Sequence, residues 1–312
     1  STYLGGEWID QGVGIAVDAN ANAYVVGYTE STNFTPNNAV GDLARYGRNG
    51  DGFVAKLGPL GTNLLYCFYL GGTNFDGANS IAVNDSGQAF VVGFTQSTNF
   101  PASTNLPANQ LGGGWDAFLT IVGTNATVSI TNLQSRFFGG IGNNAAFRVA
   151  HVPGSETDSH VTGFTTTDAN FPVTPSLLNP GGAFVSSDSA GNWTAASAGL
   201  ASIVVNAVKV NPANASQLFA GTDHGVARSA DGGATWQLNF TASATDNGEA
   251  SAILAQTVLS LALEPGNPAV LYAGTSGHGV FKSTNGGNSW TTNSTGLGNL
   301  PVSALAVDPN SI

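Results

Sequence analysis

The sequence predicts an all-β chain of four-stranded blades, a β-propeller. Three observations carry this: segments recur at a displacement of 66 residues, each recurring unit holds four short β-branched or aromatic runs, and later turns ending in tryptophan keep a similar beat. Tandem four-stranded units bury both sheet faces against their neighbours and leave only short edges.

The elements follow in chain order. Ile15-Ala16-Val17-Asp18 returns as Ile81-Ala82-Val83-Asn84, Val25-Val26-Gly27 as Val91-Val92-Gly93, and Ser31-Thr32-Asn33-Phe34 as Ser97-Thr98-Asn99-Phe100. Tyr3-Leu4-Gly5-Gly6 returns as Tyr69-Leu70-Gly71-Gly72 and, less closely, as Phe137-Phe138-Gly139-Gly140. A third copy continues through His160-Val161-Thr162-Gly163-Phe164-Thr165 to Asn170-Phe171-Pro172. In the first unit the expected strands are Val13–Val17, Ala23–Tyr28, Gly52–Leu57 and Leu64–Leu70, bounded by Gly, Asn, Asp and Pro. Gly-Ile-Ala-Val-Asp followed by Asn-Ala-Tyr-Val-Val-Gly-Tyr-Thr resembles the bacterial β-propeller repeat abbreviated SBBP, and more distantly NHL repeats, over roughly residues 1 to 175.

After Pro175 the pattern changes. Ser229-Ala230-Asp231-Gly232-Gly233-Ala234-Thr235-Trp236 fits Ser-x-Asp-x-Gly-x-Thr-Trp, and Ser283-Thr284-Asn285-Gly286-Gly287-Asn288-Ser289-Trp290 fits with Asn and Ser replacements. Ser186, Asp188 and Trp193 belong to a degenerate third copy with its glycine displaced. These segments resemble the Asp boxes, or BNR repeats, of sialidases and some glycoside hydrolases. That resemblance implies a structural hairpin between the third and fourth strands of a blade, with Ser186, Asp188, Trp193, Ser229, Asp231, Gly233, Trp236, Ser283, Asn285, Gly287 and Trp290 in scaffold roles. Short polar side chains satisfy turn amides there, and glycines take positive φ.

The third unit opens with the first repeat's inner strands and closes on the degenerate box, with no Pro/Ser-rich tether between. The expected organisation is a single propeller over 1–312: SBBP-type blades over 1–144, a hybrid blade over 145–193 and Asp-box blades over 194–312. Inner strands are expected at Val13–Val17, Ser80–Val83, Phe147–His151, Val205–Val210, Ser260–Leu263 and Ser303–Val307. The sequence thus predicts about five full blades plus a partial one. Since the last unit supplies only a first strand, Val302–Val307, an excerpt of a longer repeat protein is expected, the alternative being a ring closed by a thin blade.

Composition narrows the function. Charged residues are 9% of the 312, and 8 Lys and Arg against 19 Asp and Glu give a net charge of −11, which repels nucleic acid. No apolar run reaches the ~18 residues a membrane span needs. Cys67 is the only cysteine and sits in an apolar strand-like run, which excludes an internal disulfide and favours an inert thiol. The low-charge, Asn/Thr/Gly-rich surface suggests a secreted or cell-surface bacterial protein.

Candidate ligand groups lie in the loops. Phe34, Phe100 and Phe171 occupy matching positions in long uncharged loops, where they form either an aromatic platform for glycan or peptide or the anchors of their own loops. His224 and His278 each precede Gly-Val one blade apart, with Asp223 beside the first, a sparse set for a metal. Asp18-Ala19-Asn20-Ala21-Asn22 and Asn84-Asp85-Ser86-Gly87-Gln88 cluster oxygens of a kind that suits Ca²⁺, but they lack the closing acidic ligand and equally suit plain turns. No catalytic set emerges: a sialidase needs an arginine cluster, and the chain has only Arg45, Arg48, Arg136, Arg148 and Arg228, of which Arg228 falls at the Asp-box strand position that Lys282 holds in the next blade and is read as scaffold, while Glu30, Asp76, Asp168 and Asp246 show no pair spacing. The expected function is a non-catalytic binding or scaffold module for glycan, protein or self-association, needing no cofactor. The alternative is a glycan-active enzyme of the sialidase or xyloglucanase kind.

Overall fold

The computed structural model describes residues 3–34, 50–101, 114–123, 133–138, 142–165, 181–186, 194–200, 204–238, 253, 256–264 and 266–307. The chain divides into two compact units, Ser1–Pro180 with Ser186–Trp193, and Gly181–Val185 with Thr194–Ile312.

In the first unit, β1 (Asp10–Val17), β2 (Ala23–Thr29), β3 (Asp51–Leu57) and β4 (Leu64–Leu70) form one antiparallel sheet in chain order. A second sheet repeats it with β5 (Asp76–Val83), β6 (Ala89–Thr95), β7 (Asp116–Val122) and β8 (Gln134–Phe138). The hairpin of β9 (Asn144–His151) and β10 (Ser159–Thr165) begins a third copy.

The recurring Val-x-Gly-aromatic motif has a steric cause. The inner strands β1, β5 and β9 each shift register opposite the glycine of the partner strand. A β-carbon there would lie 1.9 Å from the Gln11 carbonyl oxygen at Gly27, 1.9 Å from that of Gly77 at Gly93, and 2.1 Å from that of Ala145 at Gly163. Only glycine admits the backbone approach that the bulge requires.

Alternation along β2 sets the core. Tyr24 and Val26 point to the face that meets the second sheet, and with Val54, Tyr66, Phe68 and Leu70 they bury Ala78, Ile81, Val91 and Phe118. The other face of the first sheet gathers Phe34, Phe53, Ala55, Cys67 and Tyr69. Repeat-equivalent residues differ in burial where a neighbouring sheet is the cause: Ile81 is 6% exposed, while Ile15, at the same place in β1, is 67% exposed.

In the second unit, β11 (Gly181–Ser186) pairs with β12 (Thr194–Ala195). Next, β13 (Val205–Asn211), β14 (Asn214–Thr222) and β15 (Gly225–Ser229) make a three-stranded sheet, and β16 (Val258–Glu264), β17 (Asn267–Thr275), β18 (Val280–Ser283) and β19 (Thr291–Thr292) make a four-stranded one. Phe219, Leu261, Leu271, Phe281 and Trp290 form their shared core.

One expected element differs. Val302–Val307 forms no strand; among the described residues its backbone attachment is Val302 N–H to the Thr275 carbonyl at 2.9 Å, with the Ser260 hydroxyl donating to the Val302 carbonyl. A strand needs a ladder, and a single anchoring bond does not make one.

Candidate functional site

At one end of the first unit, β1, β3, β5, β7 and β9 start with Asp10, Asp51, Asp76, Asp116 and Asn144, while β2, β6 and β10 finish on Thr29, Thr95 and Thr165. Register lines them up as Asp10–Thr29–Asp51 and Asp76–Thr95–Asp116. These rows hold the loops above them. Asp76 accepts from Gly72 N–H at 2.7 Å and from the Ser97 hydroxyl at 2.7 Å; Asp10 accepts from Gly6 N–H at 2.6 Å, the Ser31 hydroxyl at 3.1 Å and the Thr29 hydroxyl. The Ser-Thr-Asn-Phe repeat completes the fastening. Ser31 and Ser97 hydroxyls accept from Trp8 and Asn74 N–H, and the Asn33 and Asn99 side-chain carbonyls accept from Glu7 and Thr73 N–H.

For Phe34 and Phe100 the same repeat separates the two readings, platform or loop anchor. Phe34 and Phe100 are only 2% and 4% exposed. The Phe34 ring lies 4.3 Å from Phe53, tilted by 43°, and Phe100 lies 4.6 Å from Phe118 and 5.6 Å from Phe137. Burying a large ring against its own sheet outweighs displaying it, so these two anchor their loops. Phe171 lies outside the described residues.

A different set of rings takes the surface. Tyr28, at the end of β2, lies 6.2 Å from Phe75; Phe75 lies 5.4 Å from Phe94, at the end of β6; and Phe94 stacks at 5.0 Å and 24° on Trp115, just before β7. All four are half-buried. Trp8 and Ile9, ahead of β1, are 67% and 57% exposed. Gly50, at φ +94°, lets the Phe75 ring lie against the backbone, 3.2 Å from where a β-carbon would sit. Tyr28 and Phe94 are the aromatic of Val-x-Gly-aromatic-Thr, so the repeat itself carried the signal. Sequence reasoning assigned that residue to a strand and missed that register brings it to the next unit's Phe75.

Two buried carboxyls flank Gly71. A β-carbon on Gly71 would lie 2.0 Å from Asp51 Oδ1 and 2.8 Å from Asp76 Oδ2. Both side chains are fully buried. Burial pushes the Asp76 carboxyl above the ordinary range, against the opposing pull of bonds from Thr95, Ser97 and the Gly72 and Gln96 amides. A glycosidase pair must touch both sides of a sugar linkage, and these two carboxyls are buried away from the surface. Of the other carboxylates weighed from sequence, Asp168 and Asp246 fall outside the described residues.

The remaining candidates separate. Asp223 Oδ1 lies 3.1 Å from His224 Nδ1, on a largely exposed imidazole. The His278 amide donates to Thr275 Oγ1, and no three His, Cys, Asp or Glu side chains converge among the described residues. Asp18 is engaged by its own turn through Asn20 N–H, Asn22 N–H and Nδ2, the Tyr24 hydroxyl and Lys56 at 3.6 Å; Asn84 binds Gln88 and Glu156. Cys67 is fully buried and its thiol is pushed up to about 12, which leaves no thiolate at neutral pH.

In the second unit, the turn after β15 is wired by Ser229 and Asp231. Asp231 accepts from the Ser229 hydroxyl, Thr235 N–H and the Thr235 hydroxyl at 2.8, 2.8 and 2.6 Å, while Ser229 Oγ accepts from Gly233 N–H at 2.9 Å. The turn after β18 repeats this with Ser283, Asn285, Gly287 and Ser289. Trp236 and Trp290 are 3% and 1% exposed, and the Trp236 indole N–H donates to the Ala196 carbonyl. Ser186 ends β11 buried; Asp188 and Trp193 lie outside the described residues.

Residues 1–35 match the family described as SBBP, beta-propeller repeat. No curated protein matches. Among solved structures, the chain is similar to an ancestral GH74 enzyme at 17% identity and TM-score 0.49, covering 96% of this chain and 33% of that one. It is also similar to the GH74 xyloglucanase of Xanthomonas campestris at 15% identity and TM-score 0.41, covering 91% of this chain and 53% of that one. A third is Chaetomium thermophilum Sqt1 bound to the N-terminus of ribosomal protein L10, at 13% identity and TM-score 0.42, covering 95% and 77%. The chain spans a third to about half of the GH74 chains. The fold is an all-β propeller whose antiparallel sheets have four strands, except for the three-stranded β13-β14-β15 among the described residues.

Proposed function

We propose that the chain is a non-catalytic, extracellular binding module that takes a glycan on the aromatic stripe Tyr28–Phe75–Phe94–Trp115. The carrying observation is that stripe: four rings at 5.0 to 6.2 Å spacing, half-exposed and fixed by a buried row of hydrogen-bonded side chains. Rings of this kind offer large apolar faces at little entropic cost, which suits the CH faces of sugar rings, and a rigid scaffold keeps that cost low. Burial of Asp51 and Asp76 supports binding over hydrolysis. The wired turns after β15 and β18 are read as Asp boxes, scaffold parts that carry no reaction. Titration of the protein with soluble β-glucan and xyloglucan oligosaccharides, followed by tryptophan fluorescence, tests the proposal. Saturable quenching with affinity weakened roughly two- to tenfold in Phe75→Ala and in Phe94→Ala is expected, since an aromatic contact is worth about 0.5 to 1.5 kcal/mol. Quenching untouched by both substitutions would place the ligand elsewhere.

A further inference from the structure

Arg228 has an uncommon position for a basic side chain in a chain of net charge −11. It lies half-buried on β15, opposite Phe219 of β14, and among the described residues no carboxylate pairs with it. Its guanidinium makes one long bond, Nη1 to Asn288 Oδ1 at 3.4 Å. Lys282 holds the same register place on β18, opposite Tyr272, and is engaged: its ammonium sits 5.2 Å over the Tyr272 ring. Arg228 instead forms a wall common to two recesses, of about 390 Å³ and about 140 Å³.

The larger recess is lined by Arg228 and by the amides of Asn211, Gln217, Asn267, Asn285 and Asn288, with no acidic side chain. Three of these amides are fixed from within. Asn211 Nδ2 donates to Gln217 Oε1 at 2.5 Å, Asn288 Nδ2 donates to the Asn285 carbonyl at 2.7 Å, and Asn285 is held in its turn by Ser283 and Ser289. The recess is therefore an open surface depression in which neutral polar side chains, with Pro268, Ala269 and Gly286 between them, surround a single fork-shaped cation. A guanidinium fork matches a carboxylate with two parallel bonds, and side-chain amides match vicinal hydroxyls, which both donate and accept. Its volume falls in the range of small-molecule sites.

We infer that this cleft between the β13–β15 and β16–β19 sheets binds a carboxylate-bearing sugar, a uronic acid unit, with the carboxylate on Arg228 and the hydroxyls on the amides. The site lies in the second unit and shares no residue with the stripe of the first, so either reading can fail while the other stands.

Titration of the full chain with sodium glucuronate, glucose and sodium acetate, read by backbone amide shifts, tests it. Glucuronate is expected to saturate with a dissociation constant on the order of 1 mM, shifting amides of Gln217, Arg228 and Asn288. Glucose should bind at least about tenfold more weakly, and acetate should compete with glucuronate for the same amides. Arg228→Gln should lose at least about tenfold in glucuronate affinity, while Lys282→Gln should not. Equal binding of glucose and glucuronate, failure of acetate to compete, or no shift in the cleft up to roughly 50 mM glucuronate would each overturn the assignment. The acetate competition needs no variant, so the inference is decided even where Arg228→Gln impairs folding.

Discussion

At the scale of single residues, two tryptophans in matching turns make a controlled comparison. Trp236 donates its indole N–H to Ala196, whereas the Trp290 indole N–H, equally buried, meets no acceptor among the described residues. Removing the indole nitrogen therefore strands a buried carbonyl in one case and relieves an orphan donor in the other. Trp236→Phe is expected to cost about 1 to 3 kcal/mol more than Trp290→Phe in urea unfolding, and Trp236→Ala about 3 to 5 kcal/mol in total. His160 gives a pH dependence. It occupies the place of Tyr24 and Phe90 in its repeat, is 3% exposed, and burial lowers it from 6.5 to about 4 despite the opposing pull of Asp158. The unfolded chain takes up a proton first, so stability is full above about 6.5 and falls as pH drops towards about 4. His160→Phe should flatten that part of a melting-temperature profile. Asp231 is depressed to about 2, first by its bonds from Thr235 and then by that from Ser229; its contribution is present above 3.8 and lost as pH falls through the depressed value. Asp76 runs the other way. Its raised carboxyl contributes below the ordinary range and loses that contribution as pH rises through the folded value. The third repeat carries Asn144 at this place, so Asp76→Asn should stay within about 1 kcal/mol of the parent at neutral pH, while Asp76→Ala, which strands the Gly72 and Ser97 donors, should lose about 2 kcal/mol by denaturant titration.

At the scale of strands and loops, most of the architecture was legible because it repeats. Ile-Ala-Val marks the inner strand in the first two copies and Val-x-Gly-aromatic its partner in all three, and the steric demand at Gly27, Gly93 and Gly163 explains why the glycine returns opposite each bulge. Gly93→Ala should therefore disrupt the β5–β6 bulge by far more than the propensity difference of about 1 kcal/mol, as protease sensitivity of the second sheet would reveal. What failed in the reading did so for reasons that a linear pattern does not hold. Val302–Val307 has the composition of an inner strand but lacks a paired neighbour among the described residues, and composition does not supply a ladder. Phe34 and Phe100 are loop residues by sequence; their burial depends on the rings of Phe53 and Phe118, fixed by strand pairing far along the chain. Conversely, Phe75 and Trp115 stand at repeat positions that carry Ile9 and Gly50 in the first copy, so the rings themselves are not repeated. Their placement beside Tyr28 and Phe94 follows from the register of the sheets.

At the scale of the whole chain, the account rests on a division of labour. Carboxyls and hydroxyls at the strand ends are turned inward to fasten loops, and rings are left outward. This arrangement is the basis of the proposed binding role. Its central claim is binding without turnover. The most direct measurement is isothermal titration of the protein with xyloglucan oligosaccharides, with reducing ends assayed in the same samples over a day. Saturable heat, weakened in Phe94→Ala, and no release of reducing ends are expected; reducing ends released in proportion to protein and time would contradict binding without turnover.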